Sequence, residues 1–66
     1  MTGKVKSFNK GKGYGFIIVA DDDKEIFFHY SDLVMDGFKT IDPEALVEFE
    51  IIETDRGLQA KNIVKL

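Results

Sequence analysis

The sequence predicts an all-β chain folded as a small barrel of five short strands with one long loop, and three observations carry that expectation. Five β-like runs recur between turn signals, at residues 4–9, 14–19, 25–30, 46–52 and 58–64. The chain has 66 residues with no cysteine and one histidine, so neither a disulfide framework nor the usual structural zinc site is available and an apolar core must hold it. A domain of this length buries only about 60% of its unfolded surface, and closing the sheet removes the edges that five free strands would expose.

The elements follow in order. The first run, "KVKSFN", leads into "NKGKG", whose glycines allow a loop, and then into "YGFIIV". In this second run Gly15, Ile17 and Val19 share one face, and Tyr14, Phe16 and Ile18 share the other. "ADDDK" is a polar hairpin tip, after which "EIFFHY" sets Ile26 and Phe28 against Glu25, Phe27 and His29. Strict alternation places Tyr30 inward with Ile26 and Phe28, so Phe8 and Tyr30 are the two rings divided between core and surface. The stretch "SDLVMDGFKTIDPEA" is the long connection; Ser31 is a candidate cap for a helical turn over residues 32–34, and the only proline, Pro43, marks a turn. "LVEFEII" buries Val47, Phe49 and Ile51 and exposes Glu48 and Glu50. "TDRG" is a tight turn, with Gly57 available for positive φ. In the last run Ala60 and Ile63 differ in parity, so a bulge is needed to bury both.

Neither the second nor the third run has a fully polar face. A barrel of this size has one interior, so the second apolar face is expected in the open, where its rings need a partner. The net charge of −3 speaks against a polyanionic partner, but its distribution does not. Residues 1–20 hold four lysines and no acid, whereas residues 21–36 hold six acids against Lys24 alone. Flat rings on a sheet beside lysines suit single-stranded nucleic acid, because each base offers a face to stack on. Other chemistry is poorly supported: His29 has no serine, cysteine or second histidine as partner, and Asp21, Asp22 and Asp23 lack the spacing of a calcium loop. We therefore expect no enzymatic activity, metal or cofactor. The N-terminus lacks a signal-peptide layout and no apolar run approaches the ~20 residues of a membrane span, so the expectation is one cytoplasmic domain over residues 1–66.

"KGYGFI" resembles the first ribonucleoprotein motif and "IFFHY" the second, in the order and spacing of the bacterial cold shock proteins. "GKVKSFN", "GFKT" and "RGLQAKNI" also fall where that family has them, so the resemblance covers essentially the whole chain. It implies a five-stranded antiparallel β-barrel of the oligonucleotide-binding type (OB-fold) that binds single-stranded RNA and DNA, preferring pyrimidine-rich stretches, as a monomeric RNA chaperone or antiterminator. The implied stacking platform is Phe8, Tyr14, Phe16, Phe27, His29, Tyr30 and Phe38. Lys6, Asn9, Lys12, Glu25, Arg56 and Gln59 would contact phosphates or base edges. Phe38 reads either as a plug over the barrel end or as a stacking group, and the resemblance favours the latter. The chain departs from the family's pattern at Ser7, where a tryptophan is usual, and at Leu58, where a proline is frequent. The acidic hairpin tip is also about one residue longer. The rival reading is a small barrel whose aromatic face binds a protein or a second copy of itself.

Overall fold

The computed structural model describes residues 1–21, 23–34 and 41–66. Five strands form a closed barrel in the order β1-β2-β3-β5-β4: β1 (Thr2–Asn9), β2 (Tyr14–Val19), β3 (Glu25–His29), β4 (Leu46–Thr54) and β5 (Gly57–Lys65). Four of the pairings are antiparallel, and the seam between β3 and β5 is parallel with a single aligned pair, Phe27 with Gln59. The all-β expectation holds, and β1, β4 and β5 run longer than the apolar runs alone suggest. Phe38 and the rest of "GFKT" lie outside the described residues, as does Asp22 of the hairpin tip.

The core is the inward half of each alternating strand. Val5, Ile17, Val19, Ile26, Phe28, Val47, Phe49, Ala60 and Ile63 are buried, joined by Leu33 and Ile41 from the long connection. Two bulges adjust the alternation. The register of β1 against β2 shifts between Val5 and Ser7, so Val5 pairs with the inward Ile17 and Phe8, three residues on, pairs with the inward Gly15. Phe8 is thereby turned onto the edge of the core, stacked on Phe28 at 5.7 Å between ring centroids. On β5, Lys61 faces Glu50 and Val64 faces Glu48, which leaves one extra residue, and Asn62 takes φ 52°. That bulge buries both Ala60 and Ile63, as their unequal parity requires.

Two expectations fail locally. The third strand ends at His29, and residues Tyr30–Asp32 form one 3-10 turn instead of a helical turn starting at Asp32. His29, not Ser31, caps it: the Ser31 backbone N–H donates to His29 Nδ1 at 3.4 Å, and the His29 backbone N–H donates to Asp32 Oδ2 at 2.9 Å. Because the strand stops one residue early, the alternation that placed Tyr30 inward no longer applies. Tyr30 is 46% exposed. At the turn before β4, Ala45 N–H donates to Asp42 carbonyl at 3.3 Å and Glu44 takes φ 76°, the type II geometry that a proline at the preceding position favours.

Candidate nucleic-acid interface

Strand alternation sends Tyr14, Phe16 and Phe27 to the outer face of β2 and β3, where Phe16 lies directly opposite Phe27 and Tyr14 opposite His29. Tyr14 and Phe27 stack at 5.9 Å and 25° between ring planes, while Phe16 meets each of them edge-on, at 6.3 Å and 5.9 Å. The rings partly cover one another, yet Phe27 remains 37% exposed. Tyr30 extends the surface, with its ring centroid 4.5 Å from that of His29. Ser7 faces Phe16 across the ladder, so this outer face carries a hydroxymethyl group where a large ring would fit. An open hollow of about 530 Å³ lies there, lined by Ser7, Phe8, Asn9, Lys10, Tyr14 and Phe16.

Backbone geometry at two glycines sets this surface. Gly13 has φ 76°, and a Cβ at this position would lie 2.6 Å from the Tyr30 ring. The Gly13 carbonyl also accepts from Tyr30 N–H at 2.7 Å, tying the loop to the 3-10 turn. Gly15 points inward rather than toward the open rings; a Cβ there would collide with the Ser7 carbonyl and come within 2.9 Å of Phe28. It admits the close approach of β1 and β2.

The polar candidates divide into engaged and open groups. Lys6 Nζ donates to Glu25 Oε2 at 3.0 Å, so these two face each other before any partner arrives. Asn9 Oδ1 accepts from Lys12 N–H at 3.0 Å and shapes the loop. Lys10, Lys12 and Arg56 are exposed and make no ion pair among the described residues. Gln59 lies beside Phe27 across the parallel seam, in an open hollow of about 530 Å³ lined by Phe27, Thr54, Asp55, Arg56, Leu58 and Gln59. His29 Nδ1 accepts from the Ser31 backbone N–H at 3.4 Å and lies 3.1 Å from Ser31 Oγ.

One residue that sequence reasoning missed is Asp32, which is 3% exposed. Its Oδ2 accepts from His29 N–H at 2.9 Å and Gln59 Nε2 at 2.8 Å, and Lys61 Nζ lies 2.9 Å from Oδ1, in ion-pair contact without a well-directed hydrogen bond. Burial pushes this carboxyl up, but the Lys61 ammonium, the His29 N–H and the Gln59 amide outweigh it and hold it below its ordinary 3.8. In the sequence Asp32 is one acid in an acidic stretch. Only its place one residue before the buried Leu33, with Gln59 and Lys61 on one strand, sets it apart.

Among the described residues no group of three His, Cys, Asp or Glu could hold a metal ion, and no helix is long and apolar enough to cross a membrane. A closed five-stranded barrel with clustered rings on the outer face of two strands defines the oligonucleotide-binding class of small β-proteins. The sequence matches the 'Cold-shock' DNA-binding domain over residues 1–66. It is 50% identical to the cold shock-like protein CspE of Bacillus anthracis over 66 residues, covering all of this chain and 97% of that protein. It is 48% identical to the cold shock protein CspA of Staphylococcus aureus over 64 residues, covering 97% of this chain and 96% of that protein. The structure is similar to that of Drosophila Unr CSD456, with TM-score 0.81 and 29% identity over 98% of this chain; the chain spans 26% of that longer one. The chain belongs to the cold-shock domain family, whose members bind single-stranded nucleic acid and are not enzymes.

Proposed function

We propose that this protein binds single-stranded RNA and DNA by stacking unpaired bases on Tyr14, Phe16, Phe27, His29 and Tyr30, with Lys12 and Arg56 steering the phosphates. The observation that carries this reading is the ring cluster of Tyr14, Phe16 and Phe27 on one outer face, with Phe27 open to solvent. Each base stacked on such a ring contributes about 1–3 kcal/mol regardless of its identity. Phe8 contributes from the edge, since its ring is half-buried against Phe28. Phe38 completes the platform by the family resemblance.

Lys6 and Glu25 act as a pair: their ion contact withholds the Lys6 ammonium from the phosphates, while Glu25 offers a carboxylate oxygen to a base edge. Binding the open strand but not the paired one shifts RNA toward unpaired states by mass action, which is the work of an RNA chaperone and needs no ATP. The family resemblance supports a pyrimidine preference, an antiterminator-like regulatory role and a monomeric, cytoplasmic protein of one domain over residues 1–66. Titration with hexauridylate, followed by tyrosine fluorescence, tests the reading. Saturable quenching that weakens in Phe27→Ala is expected; no change in the wild type would favour a protein-binding face instead.

A further inference from the structure

Stacking alone gives no reason to bury a charge, yet Asp32 is buried beside the ring surface with its side chain 1% exposed. An ionised carboxylate presents only acceptors, whereas the Gln59 amide has a donating and an accepting end. Gln59 Nε2 lies 2.8 Å from Asp32 Oδ2. Turned the other way, Gln59 would set its carbonyl oxygen against a negative oxygen that water does not screen, at the cost of an unmade hydrogen bond and a repulsive contact. The carboxylate therefore admits one orientation of the amide. With Nε2 directed at Asp32, Oε1 is turned away from it and meets no donor among the described residues.

Asp32 is itself held from three sides, by the end of β3 through His29 N–H and by β5 through Gln59 and Lys61. Turning the carboxylate would break its contacts with His29, Gln59 or Lys61, and turning the amide would break its bond to Asp32. Gln59 is in register with Phe27, and both line the open hollow beside that exposed ring. A base stacked on Phe27 would bring its polar edge to Gln59.

We propose that Asp32 is a positioning residue that sets the hydrogen-bonding sense of a base-reading subsite beside Phe27. By holding Gln59 with its carbonyl turned away from the core, Asp32 makes the subsite select bases that carry an N–H donor on their edge, such as the imino group of uracil. This inference rests on the single-strand reading above. It adds a residue that touches no base and whose effect passes through Gln59.

The test compares binding of hexauridylate with binding of a hexamer of N3-methyluridine, which keeps the stacking surface and removes the imino donor. In the wild type, methylation should weaken binding by at least about 3- to 10-fold, the value of one hydrogen bond. In Asp32→Asn, whose amide can meet Gln59 in either sense, that ratio should fall toward one. In Gln59→Ala the ratio should already be reduced, and adding Asp32→Asn should change it no further. Equal discrimination by wild type and Asp32→Asn, or a further loss in the double variant, would overturn the proposal. A second measurement on the folded wild type does not depend on how Asp32→Asn folds: a nuclear Overhauser contact between the Gln59 side-chain amide and the His29 backbone N–H, both directed at one oxygen. Its absence, or a freely rotating Gln59 amide, would also overturn the proposal. Wild type that binds both hexamers equally overturns this inference alone, whereas failure to bind either overturns the single-strand reading with it.

Discussion

At the scale of single residues, exposure and pairing decide which candidates carry affinity. Phe27 is the most open ring of the Tyr14, Phe16 and Phe27 cluster, and it packs on no core residue's ring. Phe27→Ala should weaken oligonucleotide binding about 5- to 100-fold, equivalent to about 1–3 kcal/mol, with a smaller loss of stability than removal of a core ring. Fluorescence titration beside urea unfolding checks both halves of this statement. Lys6 is tied to Glu25 at 3.0 Å, so Glu25→Gln should free its ammonium. That variant should bind tighter and steepen the log-log salt dependence by about 0.7, the value of one further phosphate contact. The outward placement of Tyr14, Phe16 and Phe27 was legible in the sequence because it needs only the two-residue period of a strand. The place of Phe8 was not, since the bulge after Val5 reverses that period and leaves no mark in composition.

At the scale of elements, the seam between β3 and β5 has one aligned pair, continues in the parallel bridge of Leu33 with Ile63, and is also crossed by side chains. Asp32 spans it, hydrogen-bonded to His29 at the end of β3 and to Gln59 on β5, and ion-paired with Lys61 on β5. Loss of these contacts in Asp32→Ala should destabilise the fold by about 1–3 kcal/mol at neutral pH. The folded carboxyl titrates below its unfolded value, so the contribution is fully present above ~3.9 and is lost as pH falls through the lower, folded pKa. The difference between wild type and Asp32→Ala should therefore narrow from pH 7 to pH 3; an unchanged difference would show that the charge is not what holds the seam. At the turn before β4, Glu44 adopts φ 76° although it has a Cβ. Glu44→Gly should be neutral to stabilising by up to ~1 kcal/mol, because relief of left-handed strain outweighs the glycine's greater chain entropy. Pro43 made that turn legible, but the clasp was not: Asp32 and Gln59 are 27 positions apart, and no local pattern reports such a contact.

At the scale of the whole molecule, a chain of net charge −3 presents lysines and rings on one surface and Glu48 and Glu50 on the outer face of β4. The barrel was legible as a whole because five runs with turn signals leave few ways to cover one core; the parallel closing seam was not, since it depends on which distant strands meet. With Lys6 paired, two or three cations are left for the strand, which sets a shallow salt slope of about −1.4 to −2 in log-log form. The proposed function rests on the stacking of unpaired bases on the outer face of β2 and β3. Backbone and side-chain NMR of the protein titrated with hexauridylate tests it most directly. Shifts should cluster at Tyr14, Phe16, Phe27, His29 and Gln59 and spare Glu48 and Glu50 on the opposite face. Saturable shifts confined to the β4 face, or none at the rings under conditions where the oligomer is in excess, would contradict it.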